Sequence, residues 1–141
     1  MNKDGAIIVI EDDMEDQEIL TEIFKSLGLN NEIIFFKDGE SALEFLDTTT
    51  IKLFLILSDV NMPKINGYEL KKLIQTNHRL HIKCIPFLFF TTASDKKSVE
   101  DAYSLSVQGF FQKPNSIIEL ESTIKTIIEY WQKCIAPSAF V

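Results

Sequence analysis

Five short runs of apolar, β-branched or aromatic residues recur along the chain, each followed by a segment of helical period, and this alternation restricts the fold more than any other feature. The runs extend from Ala6 to Ile10, Glu32 to Phe36, Leu53 to Leu57, Ile85 to Phe90 and Val107 to Phe111. Strands that alternate with helices pair in parallel and are covered on both faces, so they read as nearly continuous apolar runs. The expected architecture is α/β: a doubly wound (βα)5 fold with a five-stranded parallel sheet.

The intervening segments carry the matching helical stripes. From Met14 to Leu27 the stripe is Leu20, Ile23, Phe24 and Leu27, with Gly28 as C-cap. A short helix after Lys37-Asp38-Gly39 carries Ala42, Leu43 and Leu46, and one from Tyr68 to Asn77 turns Leu70, Leu73 and Ile74 inward. The helix from Asp95 to Leu105 has Val99, Ala102 and Tyr103 as its apolar side. Ser116 and Glu119 have capping-box spacing ahead of a last helix that runs past Trp131, with Ile117, Leu120, Ile124, Ile127, Ile128 and Trp131 at helical intervals.

A chain of 141 residues has the size of one domain. Residues 1–141 are read as a single domain with a core over about 5–131 and a short C-terminal tail. The net charge of −7 has one source: Glu11, Asp12, Asp13, Glu15, Asp16, Glu18 and Glu22 fall within twelve positions that hold no Lys or Arg, and the other 14 acids and 14 bases cancel. With a single Arg, Arg79, and no basic stripe, direct binding of nucleic acid is not expected. Every apolar run is far below the ~18 residues that span a bilayer, and Asp4 ahead of a five-residue apolar run that is followed at once by acids is unlike a secretory leader. The expectation is a cytoplasmic protein. Cys84 and Cys134 lack metal or redox spacing and read as small apolar residues, Cys84 within a core-like run. His78 and His81 fall between the third helix and fourth strand and read as surface residues.

In open α/β sheets, ligands bind outside the carboxyl ends of the strands, where the strand order reverses. Those ends deliver Glu11, Asp12 and Asp13 from the first strand, Asp59 and then Asn61 from the third, Thr91 and Thr92 from the fourth, and Lys113 followed by Pro114 from the fifth. Carboxylates gathered this closely repel one another unless a cation sits among them. An oxygen-only set with few protein ligands suits Mg²⁺, which shares its coordination with waters and phosphate oxygens. A carboxylate is also a nucleophile toward phosphorus, and phosphoryl transfer asks mainly for in-line placement and charge neutralisation.

Four motifs carry a resemblance: Ile7-Ile8-Val9-Ile10-Glu11-Asp12-Asp13; Leu57-Ser58-Asp59-Val60-Asn61-Met62-Pro63 with Gly67 four residues on; Ile85-Pro86 leading to Thr91; and Gly109-Phe110-Phe111-Gln112-Lys113-Pro114. Over about residues 5–131 the chain resembles a response-regulator receiver domain of two-component signalling, of the stand-alone chemotaxis-regulator type, which implies a flavodoxin-like fold with the strand order 2-1-3-4-5. The resemblance implies that Asp59 is the phosphoryl acceptor and that Asp12 and Asp59 ligate Mg²⁺ directly. It implies that Asn61 does so through its carbonyl and Glu11 through a metal-bound water. Thr91 would donate its hydroxyl to the phosphoryl group, and Lys113 would pair with a phosphoryl oxygen, or with a carboxylate at rest. The implied partners are a sensor histidine kinase or a histidine phosphotransfer protein and a downstream protein, met as a monomer or a phosphorylation-dependent dimer. With no effector domain in the sequence, output would pass by protein contact through the helix at 95–105, the strand at 107–111 and the last helix, or by relay of the phosphoryl group. Lys113-Pro114 is a candidate cis peptide.

Three departures stand out. Phe110 occupies the aromatic switch position that is often Tyr, keeping the ring without the hydroxyl; Thr92 replaces the small residue usual after Thr91; and Ser106 stands where Gly is common. The resemblance implies that Asn61 and Ala93 flank the site at the positions where family members set the phosphoryl lifetime. Among alternatives, a haloacid-dehalogenase-like phosphatase wants two aspartates one residue apart where this chain has Asp59-Val60-Asn61, and a metal-dependent nucleotidyl-transfer fold wants the same Asp-x-Asp. A flavodoxin-like FMN carrier needs a phosphate loop where Glu11-Asp12-Asp13 would repel phosphate. A pseudo-receiver would not need the full acceptor set. Asp13, Glu15, Asp16, Glu18 and Glu22 read as dipole-favoured or solvated acids.

Overall fold

The computed structural model describes residues 1–81, 83–92 and 95–140. Its elements in chain order are β1 (Ala6–Ile10), α1 (Met14–Ser26), β2 (Ile33–Phe36), α2 (Gly39–Thr48), β3 (Leu53–Ser58), α3 (Gly67–Thr76), a four-residue α4 (His78–His81), β4 (Phe87–Thr91), α5 (Lys96–Ser104), β5 (Gly109–Gln112) and α6 (Ile117–Lys133). A 3₁₀ turn, Pro137–Ala139, follows. The strands form one parallel sheet in the order β2-β1-β3-β4-β5; the alternation predicts the parallel pairing, and the resemblance implies this order.

The sheet divides the core in two because successive side chains of a strand point to opposite faces. Ile8 and Ile10 of β1 pack with Ala42, Leu46, Leu70 and Ala102 on the face covered by α2, α3 and α5. Ile7 and Val9 pack with Leu20, Phe24, Ile124 and Ile128 on the face covered by α1 and α6. β1 and β3 are fully buried throughout, which is the reason for their unbroken apolar sequence. Gly28 takes φ +64 just past α1 and caps it through its N–H to the Lys25 carbonyl.

Several sequence expectations are corrected. The short α4, His78–His81, has no apolar stripe of its own, and the sequence pattern predicts only a link there. The fourth strand begins at Phe87 rather than Ile85: Cys84 takes the left-handed φ of +52, and Pro86 has no N–H, so only its carbonyl joins the ladder by accepting from Ile56 N–H at 2.9 Å. Cys84 is consequently exposed rather than in the core, and Cys134 is half-buried. The fifth strand begins at Gly109 rather than Val107, because the Gln108 side chain accepts from the Phe87 N–H at 2.8 Å, taking a ladder position itself. On α3 the buried stripe is Gly67, Leu70, Lys71 and Ile74, while Leu73 is exposed. The i, i+3, i+4, i+7 repeat selects position 71 whatever residue stands there. Tyr103 and Ile117 are likewise exposed: only Ala102 of α5 is buried, and Ile117 is the first residue of α6. Lys113-Pro114 is trans, the form that most X–Pro bonds take. Ser106 itself adopts φ +59, the conformation a glycine would provide. Ala93 and Ser94 lie outside the described residues.

Candidate functional site

The carboxyl edge of the sheet is built from the ends of β1, β3, β4 and β5. β1 hands the chain to a turn in which the Asp59 N–H donates to the Ile10 carbonyl at 3.0 Å and the Glu11 N–H to the Phe36 carbonyl at 2.9 Å. Asp13 then caps α1, accepting from Glu15 N–H and Asp16 N–H. The Gln17 side chain donates back to the Glu11 carbonyl at 2.5 Å, tying the first helical turn to the strand end.

Asp59 is held on the far side by its own backbone. Its Oδ1 accepts from the Val60 N–H at 2.7 Å. Gly67 opens α3 so close to this turn that a Cβ added there would lie 2.4 Å from the Asp59 carbonyl oxygen and 2.6 Å from the Phe89 ring. This close approach is the physical requirement for the glycine of the second motif.

Carboxylate oxygens of Glu11, Asp12 and Asp59 lie within 4.8 Å of one another. Glu11 is 2% exposed, Asp59 is half-buried, and Asp12 is open to solvent. Lys113 reaches into this group from the end of β5. Its Nζ donates to Glu11 Oε1, to Asp16 Oδ2 at 3.0 Å and to Asp59 Oδ2 at 3.4 Å, while its N–H donates to the Thr91 carbonyl at 2.8 Å. Burial pushes the Glu11 carboxyl up to about 7 against the pull of the Lys113 hydrogen bond, and the Asp59 charge pushes the same way. Burial would lower Lys113, but the Glu11 hydrogen bond and the Glu11 and Asp59 charges outweigh it and hold the ammonium above its ordinary value. One lysine thus pairs with three carboxylates, Glu11, Asp16 and Asp59, and Asp12 beside them adds a fourth acid to the group. The donor set is all oxygen, with one open side at Asp12, which fits a hard divalent cation.

The other expected residues are placed less centrally. Thr91 is fully buried at the end of β4, opposite Gln112 in register. Asn61 is exposed in the loop two residues past Asp59. Phe110 is half-buried, its ring edge-on to Phe89 with centroids 6.1 Å apart. Asp16, expected to be a solvated acid, is instead a partner of Lys113. Its signal lay in helical spacing, since positions 13, 16 and 17 share the face of α1 that meets the strand end.

The profile of the response regulator receiver domain matches residues 7–125. The chain is 28% identical over 139 residues to the response regulator Rcp1 of Synechocystis, covering 95% of this chain and 93% of that one. It is 29% identical over 134 residues to the probable methanogenesis regulatory protein FilR2 of Methanothrix harundinacea, covering 89% and 82% respectively. Among solved structures, the phosphorylated cyanobacterial phytochrome response regulator RcpA matches with a TM-score of 0.82 at 25% identity, over 94% of this chain and 97% of that one. The Mn²⁺-bound form of response regulator Rcp1 matches with a TM-score of 0.80 at 27% identity, over 94% and 98%.

Proposed function

The chain belongs to the response regulator receiver domain family, a signalling switch of two-component systems, and from that premise we propose that Asp59 is its phosphoryl acceptor. The observation that carries this reading is the convergence of Glu11, Asp12 and Asp59 with the Lys113 ammonium at one edge of the sheet.

An Asp59 carboxylate oxygen attacks the phosphorus of a phosphohistidine presented by a sensor kinase or phosphotransfer protein. The new O–P bond forms as the P–N bond breaks, and the imidazole leaves with that electron pair. Glu11, Asp12 and Asp59, with the Asn61 carbonyl, would hold Mg²⁺, which when bound neutralises charge on the phosphoryl oxygens. Lys113, anchored by Glu11 at rest, moves its ammonium onto a phosphoryl oxygen, and the Thr91 hydroxyl donates to another. Displacing Lys113 and Thr91 toward the new group draws on β4 and β5, where Phe110 leans on Phe89, and ring rotation at Phe110 transmits the change to the α5, β5, α6 face. The whole chain acts as one domain of this switch in the cytoplasm, without being a catalyst for another substrate.

Intact-mass analysis after incubation with acetyl phosphate tests the reading. A Mg²⁺-dependent phosphoryl adduct on the wild type, absent from Asp59→Asn, is the expected result. No adduct, together with no Mg²⁺ binding and no response to beryllofluoride, would leave only an interaction module of the same fold.

A further inference from the structure

The opposite, amino edge of the sheet holds a cavity of about 480 Å³ between α3, the approach to β4 and the C-terminal segment. This volume is typical of small-molecule sites. Its walls are apolar at Ile74, Leu80, Ile85 and Trp131, and polar at Lys71, Gln75 and Gln108.

Lys71 is the anomaly. It is only 8% exposed, yet among the described residues no carboxylate pairs with it, and its ammonium lies 5.7 Å from the centroid of the Phe87 ring. Lysines are rarely buried to this extent without a partner, and a ring face returns only part of the hydration an ammonium loses. Burial accordingly lowers its proton affinity, with no opposing charge to raise it. Gln108 has its Oε1 committed to the Phe87 N–H, which leaves its amide nitrogen as a donor beside the same space. Among the described residues, none that lines the cavity is an acid, and between Glu69 and Asp95 the sequence contains Lys71, Lys72, Arg79 and Lys83 and no Asp or Glu.

We propose that this cavity is a binding site for a small organic anion, a carboxylate with an apolar body, whose charge is paired by Lys71 and whose body lies against Ile74, Leu80, Ile85 and Trp131. The site is separate from the carboxylate edge, and the proposal does not rest on Asp59 chemistry.

Octanoate, with uncharged octanol as its control, tests it. Binding is followed by the emission of Trp131, the chain's single tryptophan, and by the NMR shifts of its indole N–H and of the Gln75 and Gln108 side-chain amides. Octanoate should saturate these signals at a concentration at least about tenfold below octanol, the ratio that one charge-assisted hydrogen bond supplies. Lys71→Met should erase that preference and Lys71→Arg should retain it. Equal affinity for the two probes, an unchanged preference in Lys71→Met, or no saturable shift with either probe would overturn the proposal. Should Lys71→Met fail to fold, the octanoate-to-octanol ratio on the wild type decides alone.

Discussion

The two edges of the sheet each bury a lysine, and the fold treats them in opposite ways. At the carboxyl edge Lys113 meets Glu11, Asp16 and Asp59, and their charges hold its ammonium above the ordinary value despite burial. At the amino edge Lys71 meets an aromatic ring, and burial lowers it from 10.5. Burial is the same type of cost in both places, so the local carboxylates alone decide whether a buried ammonium supports the folded state or weighs against it. The contrast also separates the two settings: the paired lysine is one part of the carboxylate group proposed to take the phosphoryl group, while Lys71, with no carboxylate partner among the described residues, lines a cavity.

The largest expected effect comes from breaking the paired edge. Lys113→Met leaves Glu11 and Asp59 adjacent with no cation, and should cost about 3 kcal/mol, as removing one partner of a buried ion pair does. The urea midpoint reads this, and added Mg²⁺ should recover part of the loss by binding the folded state. If Lys113→Met is neutral, the carboxylate edge is not organised by that ammonium.

Next in size is Gly67→Ala, which drives a methyl group into the Asp59 carbonyl and the Phe89 ring. It should cost about 2 kcal/mol in the same titration, as overpacking does, and should weaken Mg²⁺ binding because the Asp59 turn must shift. An unaltered Mg²⁺ affinity would show that the Asp59 carboxylate is positioned independently of its backbone.

Lys71→Met should act with the opposite sign, stabilising by about 1 kcal/mol, because an apolar isostere replaces a buried charge. A lysine whose folded value is depressed binds fewer protons folded than unfolded between that value and 10.5, so stability rises with pH across this window. The advantage of Lys71→Met should therefore be full below the window and vanish as pH passes 10.5. Chemical denaturation at neutral and alkaline pH measures it, and a pH-independent gap would mean that Lys71 carries no burial penalty. The smallest effect serves as the reference for both edges: Lys96→Ala removes an exposed pair with Glu100 at 3.6 Å and should change stability by less than about 0.5 kcal/mol.

Much of the carboxylate edge was legible because each of its residues is local to a strand end. Glu11, Asp12, Asp59, Thr91 and Lys113 each follow or close an apolar run, and the parallel alternation brings all such ends together. Asp16 was not legible as a partner of Lys113: it sits among other helix-start acids, and only the direction of Lys113 across 97 residues of sequence separation distinguishes it. Leu73 and Lys71 show the other failure. Hydropathy assigned the inward position to the apolar residue, whereas the helical phase set by Gly67, Leu70 and Ile74 placed the lysine inside. Cys84 looked like the start of a core strand because its neighbours are apolar, and a left-handed backbone at that residue moved it to the surface.

By itself, then, the sequence determined the order of the elements, the parallel sheet and the carboxylates at its edge, since these follow from periodicity and from the shape of a βα repeat. Only the tertiary structure decided which acids share Lys113, why position 67 must lack a side chain, and that Lys71 is buried beside a cavity with no acid partner among the described residues. These depend on distances between segments far apart in the chain, and such distances are fixed by packing rather than by the local pattern of residues.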